Sequence, residues 1–283
     1  MNTKIIAAIG ALALCPAVVQ ADVSSANIVG YSNATIPSYW SVFAPIFKNC
    51  DASGTVYLSQ LTPKFDANTA LTSDGKVYIQ IIENASAGAY GTMYKWYTKL
   101  GGWSGDNGQT KIAEDAVPLS TGAGFAIRND VTAKGGVESY SKGAEYVSIV
   151  ILCSGEVDLV CQNTIPSLWS VAGNNSPVKR YLSDFTPTLT DGTALISDGK
   201  VYIQKIENVT AGGYGTMYKW YAKLGGWSGD NGQTKIAATD VPFEPGEGFA
   251  IRNDVTMKGG VESYSKGAEN VPILLNTKSP LAE

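Results

Sequence analysis

The sequence predicts an all-β fold, built as two tandem antiparallel β-sandwich or barrel-like modules from an internal duplication, each with at most a short helical turn. Three observations predict it. Residues 57–147 align without gaps on residues 181–271, with 69 identities in 91 positions at an offset of 124. Within each copy, short runs of β-branched and aromatic residues are divided by Gly, Asn and Asp turns about every 8–12 residues. Glycine is 31 of 283 residues while charged residues are only 16%. That is the composition of turn-rich β structure and not of long solvated helices.

The elements follow in order. Residues 27–36 and 38–44 read as the first strands, and 36–40 (IPSYW) recurs as 165–169 (IPSLW) at an offset of 129. Copy 1 therefore carries about five extra residues between Ala44 and Thr55. Residues 59–62 suggest one short helical turn, stopped by Pro63, and 183–187 match it. Residues 76–83 (KVYIQIIE) follow a Ser-Asp-Gly turn signal and read as a strand. In 94–99, Tyr94 and Trp96 fall on one face and Lys95, Tyr97 and Lys99 on the other. Residues 124–129, 136–140 and 144–152 complete the copy. Ser154-Gly155-Glu156 reads as the connection, giving domains at 22–156 and 157–283.

These strands carry a pattern. Copy 2 has Trp169-Ser170, Tyr218-Lys219-Trp220, Gly226-Trp227-Ser228 and Pro245-Gly246-Glu247-Gly248-Phe249. Copy 1 matches it, with Thr121 for the proline and Ala123 for the glutamate. The pattern resembles repeated β-modules of secreted and cell-surface proteins of Gram-negative bacteria. The resemblance implies a β-rich extracellular module and assigns no biochemical activity.

The first 21 residues read as a secretory signal peptide cleaved near Ala21. Lys4 precedes the apolar stretch 5–14, Pro16 breaks it, and Val19-Gln20-Ala21 supplies the small residues. Leu14 before Cys15 fits lipoprotein processing poorly. The expectation is export to the periplasm, cell surface or extracellular space. No later stretch approaches the roughly 18 apolar residues of a transmembrane helix. Residues 22–156 carry nine basic and twelve acidic groups, and 157–283 carry eleven and thirteen. No basic patch marks a nucleic-acid partner.

The chain has no histidine, which excludes Ser-His-Asp and Cys-His catalysis and His-ligated metals. Cys50, Cys153 and Cys161 allow one disulfide in an exported chain. Cys153–Cys161 is the favoured pair, and a bridge from either to Cys50 or a fully reduced set remains open. None has a cysteine at its counterpart position. The matched carboxylates Asp74/Asp198, Glu83/Glu207, Asp106/Asp230, Asp130/Asp254, Glu138/Glu262 and Glu145/Glu269 mostly lie in turns, where such side chains bond their own backbone. The loop after Gly105 lacks the oxygen ladder of a calcium loop. No catalytic residue, metal site or cofactor is expected.

The aromatic set remains. Trp96 and Trp220 alternate with Tyr and read as core. Trp103 and Trp227, between Gly-Gly and Ser-Gly-Asp, read as loop residues able to present a ring face to a sugar, with Tyr90, Tyr214, Tyr97 and Tyr221 around them. The resulting expectation is an exported, non-enzymatic β-repeat protein with a structural or adhesive role at the cell surface or in the extracellular matrix. Its partners would be polysaccharide or other surface proteins. The alternatives are a carbohydrate-binding protein using loop aromatics and a secreted hydrolase using paired carboxylates.

Overall fold

Residues 125–129 show how the chain builds its sheets. Phe125, Ile127 and Asn129 are buried while Ala126 and Arg128 between them are half-exposed, the period of a strand with one face on a core. The protein is described by a computed structural model covering residues 29–45, 47–48, 55–84, 89–119, 124–157, 162–208 and 213–278. The signal-peptide expectation lies outside these residues, as do Cys50 and Cys161 and the side chain of Cys153.

The principal strands of copy 1 are β1 (Val29–Ile36), β2 (Tyr39–Phe43), β3 (Thr62–Lys64), β4 (Val77–Asn84), β5 (Ala89–Tyr97), β6 (Gly102–Ser104), β7 (Phe125–Asn129) and β8 (Ile149–Val157). Copy 2 supplies β9 (Gln162–Ile165), β10 (Leu168–Gly173), β11 (Phe185–Leu189), β12 (Asp198–Asn208), β13 (Gly213–Tyr221), β14 (Gly226–Ser228), β15 (Gly248–Asn253) and β16 (Ile273–Thr277). The fold is all-β and its sheets are antiparallel. One five-stranded sheet runs β2-β7-β4-β5-β6 and the other β10-β15-β12-β13-β14, the same order in equivalent strands. A smaller sheet covers the inner face of each: β8 pairs with β1 and β3, and β16 pairs with β9 and β11.

Two hydrophobic clusters fill the space between these layers, one within residues 34–151 and one within 165–275. They are packed differently. In copy 2, Phe185, Phe243 and Phe249 meet edge to face at 5.1–5.5 Å. In copy 1, Leu61 and Leu119 stand at the first two of these positions, and Phe43 packs on Phe125 at 5.3 Å instead. The position equivalent to Phe43 is Ala172. The copies therefore place their large rings at different positions of the core.

Three expectations are corrected. Residues 154–156 are not a connection: they continue β8, where Ser154, Gly155 and Glu156 pair with Tyr31, Gly30 and Val29. The ladder partner supplied by β1 extends the strand through small residues that look like a turn in isolation. The strand read through Lys99 ends at Tyr97, and a 3-10 turn follows at Thr98–Leu100, as at Ala222–Leu224. Gly101 and Gly225 close these turns at φ 56° and 53°, a left-handed conformation that favours glycine. The short turns expected at residues 59–62 and 183–187 lie earlier, as 3-10 turns at Leu58–Gln60 and Leu182–Asp184, and Pro63 and Pro187 sit inside strands β3 and β11.

The copies touch through related residues. The Gly124 amide donates to the Val171 carbonyl and the Ala44 amide to the Gly246 carbonyl, each at 3.0 Å. A methyl added at Gly124 would fall 2.4 Å from Val171 Cγ1, and one at Gly248 would fall 2.3 Å from Val42 Cγ1. These are the same glycine and the same valine in each copy, so the contact is close to self-complementary.

Candidate functional site

The expected sugar-binding ring faces are not on the surface. Trp103 and Trp227 are fully buried. Each indole Nε1–H donates to a backbone carbonyl at 2.7 Å, Leu61 for Trp103 and Phe185 for Trp227. Each ring stands edge-on to Trp96 or Trp220 at 5.5 Å. The expectation that Trp103 and Trp227 bind ligand is therefore corrected: the Gly-Gly before each allows the chain to turn and add a short edge strand, which carries the ring inward. Tyr97 and Tyr221 are buried as well, against the loops Gly105–Gly108 and Gly229–Gly232. Trp96 and Trp220 are core, as expected. The side chains of Tyr90 and Tyr214 lie outside the described residues, as does the Cys153–Cys161 pairing.

Four of the matched carboxylate pairs close on their own surroundings. Asp74 and Asp198 accept from the Lys99 and Lys223 amides at 3.1 Å. Glu138 accepts from the Thr72 and Ser73 amides at 2.6 and 3.1 Å and from Tyr140 at 2.9 Å. Burial alone would raise its pKa, but the hydrogen bonds from Ser73, Thr72 and Tyr140 outweigh burial and lower it. Burial, with the Glu138 carboxylate beside it, pushes the Tyr140 hydroxyl up to about 12. Asp130 and Asp254 hold the Nε of Arg128 and Arg252 at 2.8–2.9 Å. Among the described residues, no group of three His, Cys, Asp or Glu side chains is placed to hold a metal ion.

Asp106 and Asp230 are the most strongly shifted of these carboxylates. The Ser104 or Ser228 hydroxyl and the amides of the following loop hold each carboxyl at about 2, from an ordinary 3.8. The folded value lies below the unfolded one, so this stabilisation is complete above about pH 4 and lost as pH falls towards 2. An acid titration followed by thermal melts is expected to show stability falling across that range. The double variant Asp106→Asn, Asp230→Asn is expected to melt lower at neutral pH and to lose less on acidification. Parallel curves for the two proteins would refute the assignment.

The outer face of each five-stranded sheet presents a different group of side chains. Register places Trp40 opposite Arg128, Arg128 opposite Tyr78 and Tyr78 opposite Lys95. The Arg128 guanidinium carbon lies 5.8 Å from the centroids of both the Trp40 and Tyr78 rings, and Lys95 Nζ lies 5.4 Å from Tyr78. Copy 2 repeats the row as Trp169, Arg252, Tyr202 and Lys219, at 5.8, 5.8 and 5.5 Å. The arginine side chains are 42% and 41% exposed. Arg128 and Arg252 are held fully charged, their pKa raised first by the hydrogen bond to Asp130 or Asp254. Copy 1 has a further aromatic pair near Arg128: Tyr39 and Tyr146, both exposed, have ring centroids 4.6 Å apart with planes tilted by 43°, where copy 2 has Leu168 and Asn270.

A cleft of about 550 Å³ opens where the copies meet, lined by Ile36, Phe43, Lys205, Glu244 and Glu247 among others. Its charges are already matched. Lys205 Nζ lies 2.9 Å from Glu247 and donates to the Pro242 carbonyl at 2.8 Å, while Lys179 lies 2.6 Å from Glu244. Ile81 occupies the Lys205 position in copy 1, so this pairing belongs to the junction alone.

No protein-family model, curated protein or solved structure matches the chain.

Proposed function

We propose that the chain is an exported, non-enzymatic β protein with a structural or adhesive role at the cell surface or in the extracellular matrix. One observation carries this reading: the same solvent-facing row of aromatic and cationic side chains is presented twice on one chain, by two sheets joined through backbone hydrogen bonds. A doubled face gains avidity for a repetitive target, a property suited to attachment. Four of the matched carboxylate pairs add support, since they brace turns and sheet faces.

The full chain in its producing cells is expected in the envelope or matrix fraction, and its loss is expected to weaken attachment between cells or to a surface. Confinement to the cytoplasm would overturn the reading. So would turnover of a polysaccharide or peptide that disappears in a carboxylate variant still folded.

A further inference from the structure

We propose that the outer face of the first five-stranded sheet, formed by Trp40, Arg128, Tyr78 and Lys95 beside the Tyr39–Tyr146 pair, binds an acidic polysaccharide. The equivalent face of copy 2 is a weaker second site. The inference deepens the adhesive reading and rests on it.

The chemistry of the row selects the ligand. Trp40 and Tyr78 flank the Arg128 guanidinium, and Asp130 holds its Nε. With Nε held by Asp130 and the side chain 42% exposed, the guanidinium has Nη N–H bonds to offer a carboxylate or sulfate in two-point geometry. Lys95 stands two strands further on, about 10 Å away at a strand spacing of roughly 4.8 Å. From Trp40 to Lys95 the row spans three spacings, about 14 Å, the scale of a short oligosaccharide. The Tyr39–Tyr146 pair adds exposed ring surface at one end, on which the apolar C–H faces of a sugar can pack.

Competing ligands fit less well. Arg128 already has Asp130 as its counter-charge, but a neutral glycan would cover Lys95 without giving it one. A nucleic acid carries a phosphate at every nucleotide and is held by dense basic surfaces, whereas this chain has a formal charge of −4 and sparse cations. A polysaccharide with one acidic group on each of a few sugars matches one arginine and one lysine set apart along a row. Copy 2 lacks the tyrosine pair, having Leu168 and Asn270 in its place, which ranks the sites.

The test is affinity electrophoresis of the full chain through gels containing polygalacturonate, its methyl ester, dextran sulfate, dextran or single-stranded DNA. Retardation is expected with polygalacturonate or dextran sulfate, weakening as salt is added, and is not expected with the methyl ester or dextran. The two acidic glycans separate carboxylate from sulfate recognition. Arg128→Gln is expected to weaken binding about tenfold, the loss of one charge-assisted contact, and Arg252→Gln to weaken it less. Lys95→Gln, at the outer end of the row, is expected to weaken binding in a protein that circular dichroism shows still folded. That variant separates the effect from misfolding.

The proposal is overturned by no retardation with either acidic glycan or by equal retardation with the uncharged partners. Tighter binding to DNA, or indifference to both Arg128→Gln and Lys95→Gln, also overturns it. A chain that ignores acidic glycans yet fractionates with the envelope overturns this ligand and leaves the adhesive reading standing.

Discussion

Trp103→Ala is expected to lower the unfolding free energy by about 3–5 kcal/mol, the range for emptying a large buried aromatic site. The indole is fully buried, packs edge-on to Trp96 and donates to the Leu61 carbonyl. Its removal opens a cavity and leaves that carbonyl without its partner. Trp103→Phe restores most of the ring but not the donor, so it should fall between, losing about 1–3 kcal/mol for the orphaned acceptor. Trp227→Ala should behave alike, since its surroundings repeat. Urea unfolding followed by circular dichroism measures each loss. A change in Trp103→Ala below about 1 kcal/mol, within the range of surface substitutions, would place the ring on the surface and reopen its role as a ligand contact.

Asn129→Ala is the second large effect. Asn129 is fully buried in β7, and its side chain ties four backbone groups together. Nδ2 donates to the carbonyls of Ile36, Pro37 and Val147 at 2.8–3.4 Å, and Oδ1 accepts from the Val131 amide at 3.0 Å. These groups belong to the ends of β1 and β7 and to the segment before β8, so one amide joins three chain segments. Alanine leaves them buried without partners, each costing about 1–3 kcal/mol. Partial relaxation makes a loss of about 3 kcal/mol the expected result. Asn129→Asp is expected to be at least as damaging, because a carboxylate would face carbonyl oxygens that need a donor. Asn253→Ala repeats the test in copy 2, where Ile165, Pro166 and Val271 are the carbonyl partners. A stability change near zero in Asn129→Ala would show that the amide does not join these segments.

The strands were legible because their signals are local. GFAIRN alternates by itself, and its inward residues are the buried ones. That a short turn precedes Pro63 and Pro187 was legible for the same reason, though its bounds were not, because both prolines lie in strands. Trp103 was misread because Gly-Gly-Trp-Ser-Gly-Asp carries every local mark of a loop, while its burial depends on β5 lying alongside. Gly155 was misread likewise, its ladder partner being more than a hundred residues away. The aromatic and cationic row was invisible for a stronger reason. Trp40, Tyr78, Lys95 and Arg128 come from four strands, and only cross-strand register brings them into line. Nothing in the segment around Arg128 names its cross-strand neighbours.

The two cores are filled by different rings, and this bears on how a chain containing nearly the same sequence twice avoids assembling itself wrongly. Tandem copies this similar are prone to exchange strands while folding. Here β2 brings Phe43, and its counterpart β10 brings Ala172 at the same depth. Were β2 to enter copy 2, Phe43 would compete for volume already taken by Phe185, Phe243 and Phe249, and overpacking typically costs about 1–3 kcal/mol. Were β10 to enter copy 1, Ala172 would leave a hole beside Phe125, Leu61 and Leu119, a cost of similar or greater size. The divergent rings thus favour each front strand pairing with the sheet that follows it in the chain.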